Sequence, residues 1–257
     1  MTKKKCTAIV LAAGSGKRMH SETAKQFILL EGRPILWYSL ETVERSGLLD
    51  ECILVTGESD IPYVRREIVE RYGFHKVKAV IAGGRERYES VYKALCAMAE
   101  EGAAAENREG YVFIHDGARP FLTEAILEAT YREACRHRAC VAAVPVKDTI
   151  KIADKDGFVV ETPDRSRLWT VQTPQVFEAS LIAEAYRMLF RRQAEAGAVP
   201  VTDDAMVLES MLGIPVKLVE ASYKNIKITT PEDLQMAEVF LHQENLSLLF
   251  TPPIKPL

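Results

Sequence analysis

The chain has 257 residues, enough for one large α/β domain or two small ones, and its 47% apolar content suits a protein that buries a real core. With 33 basic against 36 acidic residues the net charge is −3, so no overall basic excess draws it to nucleic acid or to an anionic membrane. No apolar stretch approaches the ~20 residues of a membrane span, and MTKKKC runs into a short strand rather than a signal-peptide core. A cytoplasmic protein is expected, and any anion site in it must be local. The five cysteines, Cys6, Cys52, Cys96, Cys135 and Cys140, include no CxxC pair. They read as reduced thiols rather than a disulfide framework. Cys135, His137 and Cys140 lack the second ligand pair of a finger-like metal site.

The first predicted strand, residues 7–12, runs into LAAGSGKRMHSETAKQ, a stretch of small residues followed by Lys17, Arg18 and Lys25. A helix is predicted at about 34–46, with Pro34 in its first position. Strands at 51–56, 77–81, 111–115 and 139–146 then alternate with helices at about 61–73, 87–101 and 123–138, the last with Thr123 as its N-cap. Strands that are apolar throughout and joined by helices predict a Rossmann-like, mostly parallel twisted sheet with helices on both faces.

The pattern changes after Pro145. Residues 149–152 and 158–161 are short β-like runs around the turn Asp154-Lys155-Asp156-Gly157. This hairpin is too small to be a domain. A protruding β-arm commonly packs on a neighbouring subunit, so a two-fold homodimer is expected. Helices follow at about 178–194 and 202–212, a strand at 215–219, the run Asn225-Ile226-Lys227-Ile228 as a short strand, and a helix from Pro231 to about His242. One domain over residues 1–242 is expected, with the arm at about 147–172 and a loose tail at 243–257.

The glycine loop excludes two nucleotide folds. A dinucleotide fingerprint needs a third small residue where Met19 stands, and an acidic residue about twenty positions on at the end of the second strand. That strand comes later and runs Ile53-Leu54-Val55-Thr56-Gly57. A P-loop needs a hydroxyl after its lysine, but Arg18 follows Lys17, and Leu11 stands where its first glycine belongs. What remains is a loop whose backbone N–H groups face an anion, with flexible cations beside it. Ala12 and Ala13 leave room for a nucleobase or ribose to pack on the strand end, and Lys25-Gln26 return to the same place.

With LAAGSGKRM…AKQ in place, the chain resembles the sugar-phosphate nucleotidyltransferases. Six further motifs narrow the resemblance: GGRERYESV at 83–91, HDGARPF at 115–121, VKDTIK at 146–151, DRSRLWTVQTPQVF at 164–177, TDDA at 202–205 and NIKITTPEDL at 225–234. In this order they closely resemble the 2-C-methyl-D-erythritol 4-phosphate cytidylyltransferases of non-mevalonate isoprenoid biosynthesis, from about residue 7 to 242. The resemblance implies a nucleotide-diphospho-sugar transferase type of fold and an enzyme that joins CMP from CTP to a sugar-alcohol phosphate. Pyrophosphate leaves, and Mg2+ is held mainly by the CTP phosphates rather than by an assigned protein ligand. Catalysis of this kind is positioning plus electrostatic stabilisation, without a protein nucleophile.

The resemblance further implies that Arg18 and Lys25 stabilise the transition state, with Lys17 as an additional triphosphate contact. Lys227 would hold the incoming phosphate for attack. Ala12, Ala13, Gly14, Ser15 and Gly16 would wrap the nucleotide, and Gly83, Gly84 and Ser90 would read the cytosine edge, with Arg87 supporting their loop. Asp116 and Gly117 would meet the nucleotide. Asp116, Arg119 and Thr173 would meet the acceptor, together with Thr149 and Arg165 of a partner subunit's arm. His115 reads as a strand-end histidine rather than a general base. Arg85 and Lys224 stand where relatives often carry an acid, and whether Asp203 or Asp204 replaces the missing carboxylate stays open.

The nearest alternative is a ribitol 5-phosphate cytidylyltransferase, which shares the reaction and most motifs. The wording HDGARPF and RLWTVQTPQ favours the methylerythritol enzymes. A non-catalytic nucleotide-binding regulatory subunit would be signalled by loss of Arg18, Lys25 or Lys227, and all three are present.

Overall fold

The computed structural model describes residues 3–14, 19, 24–101, 110–196 and 200–250. Strand β1 (Cys6–Ala12) is almost entirely buried, and β2 (Leu29–Leu30) and β3 (Arg33–Pro34) pair as a small antiparallel ribbon. Pro34 takes the N-cap of α1 (Ile35–Arg45) rather than its first turn. Then come β4 (Glu51–Thr56), α2 (Ile61–Tyr63) continued by a π-helical segment at Val64–Glu70, β5 (Val77–Ala82), α3 (Arg87–Glu101), β6 (Tyr111–Asp116), α4 (Glu124–His137) and β7 (Ala139–Pro145). Thr123 caps α4 as expected: its hydroxyl accepts from the Ile126 amide at 3.3 Å, a contact worth about 1 kcal/mol to a helix.

The excursion after Pro145 contains β8 (Ile152–Ala153) and β9 (Val159–Glu161), an antiparallel pair that forms a sheet of its own. The chain then does something the sequence reading missed. Trp169–Glu178 is a long strand, β10, inserted between β6 and β7 and antiparallel to both. Pro174 argues against a central strand because it cannot donate to the ladder. Here it falls where the β10–β7 register shifts, between Val171 and Gln175, so no ladder donor is lost. Helices α5 (Ala179–Ala196) and α6 (Asp204–Leu212), strand β11 (Lys217–Glu220) and helix α7 (Pro231–Phe250) complete the order. Residues 225–228, expected as a strand, run without regular structure and are tied in by the Ile228 amide donating to the Ala118 carbonyl at 2.9 Å. Helix α7 continues past the expected end at His242.

The main sheet runs β11-β7-β10-β6-β1-β4-β5 and is parallel except for β10. Successive side chains of a strand face opposite sides, and β1 divides its own between two cores. Ala8, Val10 and Ala12 pack with Leu36 and Leu40 of α1, Val64 of the π segment and Ile126 of α4. On the other face, Ile9 packs with Val91 and Leu95 of α3, Ile182 and Tyr186 of α5, and Leu208 of α6. Cys6, Cys52 and Cys140 are free and buried, burial pushing each thiol up to about 12, whereas Cys135 is exposed. Among the described residues no helix is long and apolar enough to cross a membrane. From β1 the chain passes to β4 and β5 on one side, then returns to β6 on the other. Ligands of open α/β sheets bind outside the carboxyl ends of the strands at such a reversal.

Candidate functional site

At the end of β1, Ala12, Ala13 and Gly14 form one wall of a cleft. The buried Gln26 amide donates to the Ala12 carbonyl at 2.7 Å, which ties the 3-10 turn Lys25–Phe27 to the strand end and sets Lys25 along the same cleft. Gly84, Arg85, Glu86, Arg87 and Ser90 form the facing wall. Their loop is braced from within. Ser90 Oγ accepts from the Gly84 amide at 2.9 Å, and the Glu89 carboxylate accepts from the Arg85 amide at 2.7 Å.

Gly83 lies behind that wall, where a Cβ would stand 2.6 Å from the Ala13 Cβ and 2.8 Å from Ser90 Oγ. The two loops touch there, so only a residue without a side chain fits. Gly83→Ala is expected to push them apart and to lower the melting temperature, at the ~1–3 kcal/mol that overpacking usually costs. Differential scanning calorimetry checks this, and a parental melting temperature would show that the loops do not need to touch.

Asp116, at the end of β6 and 7% exposed, is the electrostatic centre. Its Oδ1 lies 3.3 Å from Arg87 Nε, and its Oδ2 lies 2.8 Å from Lys227 Nζ and 3.9 Å from Arg119 Nε. Burial alone would raise this carboxyl, but Arg87, Lys227 and Arg119 outweigh burial and hold it far below the usual carboxylate range. Asp116 is therefore ionised at neutral pH, and in the cleft Lys25, Arg85, Arg87 and Lys227 still exceed Glu86, Asp116 and the buried Asp204 that pairs with Arg87. A cleft so charged attracts anions.

Lys227 is pinned on both sides. After it, the Ile228 amide is tied to Ala118. Before it, the buried Asn225 side-chain amide donates to Gln172 Oε1 at 3.0 Å and to the Thr173 carbonyl at 2.9 Å, while the Asn225 backbone carbonyl accepts from Arg119 Nη1 at 2.8 Å. His115 is fully buried, and burial pushes it down to about 4, so it is neutral. Its Nε2 faces the Arg119 carbonyl at 3.2 Å and must carry the proton. Nδ1 then accepts from the Thr173 hydroxyl at 3.0 Å, and that hydroxyl accepts from the Asp116 amide at 3.1 Å. His115 thus orients Thr173 and has no free nitrogen for base catalysis.

Of the residues singled out in the sequence, Ala12, Ala13, Gly14, Lys25, Gly84, Ser90, Asp116 and Lys227 line the cleft together. Arg119 and Thr173 line an adjoining hollow that also takes in Arg87, Asp116 and Lys227. Gly117 stands behind the wall, its amide donating to the Leu11 carbonyl at 2.8 Å. Ser15, Gly16, Lys17 and Arg18 lie outside the described residues. Thr149 and Arg165 are exposed on the excursion and line neither hollow; Arg165 Nη1 donates to the Lys147 carbonyl at 2.9 Å. Asp203 lines the adjoining hollow together with Arg119, Thr173 and Lys227. Asp203 caps α6, and Asp204 grips Arg87 through both terminal nitrogens at 2.9 and 2.7 Å. The sequence reading missed this grip, together with Gln175 and Tyr186 beside it. Arg87 and Asp204 both fall within quoted motifs, but nothing in their spacing announces a pair.

Comparison with known proteins agrees with this architecture. Residues 6–243 match the family model described as 2-C-methyl-D-erythritol 4-phosphate cytidylyltransferase. A protein of that name from Lachnospira eligens is 50% identical over 235 residues, covering 91% of this chain and 98% of the relative. One from Lachnoclostridium phytofermentans is 46% identical over 239 residues, covering 93% and 97%. The crystal structure of 4-diphosphocytidyl-2C-methyl-D-erythritol synthase from Anaerococcus prevotii superposes with a TM-score of 0.77 at 33% identity, covering 93% of this chain and 97% of that one.

Proposed function

Since this chain belongs to the 2-C-methyl-D-erythritol 4-phosphate cytidylyltransferase family, it transfers CMP from CTP to that sugar-alcohol phosphate with release of pyrophosphate, and we propose that the cleft at the carboxyl ends of β1 and β6 is where it does so. One observation supports the placement above all. Lys25 and Lys227, far apart in sequence, line one cleft with the bare backbone of residues 12–14 and with Asp116.

The reaction needs a phosphate oxygen of the acceptor to attack the α-phosphorus of CTP in line. A new P–O bond forms as the bond to the pyrophosphate oxygen breaks. Lys25, with Arg18, stabilises the charge that gathers on the transferring phosphoryl group. Ala12, Ala13, Gly14 and the Gly83–Gly84 loop hold the nucleoside, with Ser15, Gly16 and Lys17 toward the triphosphate. Lys227, set by Asp116, holds the acceptor phosphate in line, and Arg119 and Thr173 complete the acceptor hollow.

Thr149 and Arg165 belong to the partner's site in this reading. The β8–β9 excursion carries Phe158, Val159 and Val160, exposed at 72%, 58% and 62%. Such an apolar ribbon is stable in water only when covered, and a second copy of the chain covers it in a homodimer. An arginine offered across that interface suits a phosphate because its planar fork donates two hydrogen bonds.

Among the described residues no group of three or more His, Cys, Asp and Glu side chains converges to hold a metal ion. Both oxygens of Asp116, the carboxylate of the cleft, face Arg87, Lys227 and Arg119, so the residues present fit an Mg2+ ion held mainly by triphosphate oxygens rather than by a protein cage. When bound, the ion would neutralise phosphate charge. Free thiols at all five cysteines suit a reducing compartment, and a cytoplasmic location is part of the same proposal.

The test is pyrophosphate release from CTP and Mg2+ with methylerythritol 4-phosphate and ribitol 5-phosphate as parallel acceptors. Turnover with the first alone is expected. Turnover with the second alone would reassign the acceptor, and silence with both would overturn the reading.

A further inference from the structure

The grip of Asp204 on Arg87 has no part in the roles given so far. Asp204 is wholly buried in the first turn of α6, where the helix N-terminus favours a negative charge. It accepts from both terminal nitrogens of Arg87 and, at 2.6 Å, from the Tyr186 hydroxyl of α5. Gln175 of β10 fixes the same turn, its Oε1 accepting from the Asp204 and Ala205 amides at 3.1 and 3.0 Å. Three helices and a strand thus hold one carboxylate in place. Burying an ion pair adds little stability over apolar residues of the same size, so stability alone does not account for it.

Arg87 itself faces the cleft and lines both of its halves. The guanidinium is planar and rigid, so two fixed terminal nitrogens also fix the direction of Nε. That Nε meets Asp116 Oδ1 at 3.3 Å. With Oδ1 engaged, Oδ2 is turned toward Lys227 Nζ at 2.8 Å. From the core to the cleft the charges alternate: Asp204, Arg87, Asp116, Lys227.

We infer that Arg87 and Asp204 are positioning residues, which orient the Asp116 carboxylate and through it the Lys227 ammonium. The inference rests on the roles proposed above for Asp116 and Lys227. Asp204 also keeps Arg87 from turning wholly onto Asp116 and displacing Lys227, or from reaching into the triphosphate. The pair acts by geometry and touches neither reacting atom.

The full chain carrying Arg87→Lys tests this most directly, because lysine keeps the charge but cannot join two carboxylates at fixed angles. The expected result is a kcat about 10 to 100-fold lower, with KM for CTP nearly unchanged, since a misplacement of about 1 Å can cost that much. Melting temperature is measured alongside. Asp204→Asn should lower both kcat and melting temperature, because Arg87 is left without its buried partner.

The double replacement Arg87→Met with Asp204→Leu removes both charges. It should recover melting temperature relative to Asp204→Asn while kcat stays low. Parental kcat in Arg87→Lys or in the double variant, or a loss of activity no greater than the loss of folded protein, would overturn the inference. The parent chain separates the two levels: if it does not turn over, the reading of the cleft fails. An active parent with an equally active Arg87→Lys variant sinks the positioning role alone.

Discussion

Lys227→Ala is expected to lower kcat about 10²–10³-fold, the usual loss for one electrostatic donor at a transition state, with KM for CTP little changed. The structure supplies a reason for an effect at the upper end. Lys227 Nζ lies 2.8 Å from Asp116 Oδ2, and Asp116 stays ionised without it because Arg87 and Arg119 remain. Removing the ammonium therefore deletes a cation and also leaves a buried anion facing the incoming phosphate. Lys227→Ala should be worse than Asp116→Asn at holding the acceptor, because only the former leaves that carboxylate charged. Steady-state pyrophosphate release at saturating CTP, with the acceptor varied, measures both. A Lys227→Ala enzyme at parental kcat would remove Lys227 from the mechanism.

Arg165→Ala is expected to raise KM for the acceptor far more than KM for CTP, by about 10 to 100-fold if a charge-assisted phosphate contact is lost. Its larger consequence appears in mixed dimers. If Arg165 serves the partner's cleft, Arg165→Ala and Lys227→Ala damage the two halves of one composite site. A co-expressed mixture forms heterodimers in which one of the two sites has both residues. With the acceptor kept well below the raised KM, where each single variant turns over slowly, random pairing restores about a quarter of the parental sites. Activity that stays at the level of the single variants would mean that Arg165 acts in its own chain or not at all. In its own chain Arg165 donates to the Lys147 carbonyl and lines neither hollow of the cleft.

Much of the fold is legible locally. The apolar runs at β1, β4, β5, β6 and β7, the cap at Thr123 and the helices between them depend on residues a few positions apart. The glycine loop and the ordered motifs were legible for the same reason, and so was the side of the sheet on which they gather, because parallel strands send all their carboxyl ends one way. Strand β10 was not legible. Its proline argues against a central strand until the register shift beside it is seen, and that shift belongs to the pairing with β7.

The sequence by itself determined the mostly parallel α/β class, the family, and which residues carry the charge. Only the tertiary structure decided how those charges are paired. Arg87 and Asp204 are 117 positions apart, and Asp116 and Lys227 come from opposite sides of β10. Whether a charged side chain faces water, a substrate or another charge depends on burial and on angles near 3 Å. Those are set when distant elements pack, and spacing along the chain does not record them.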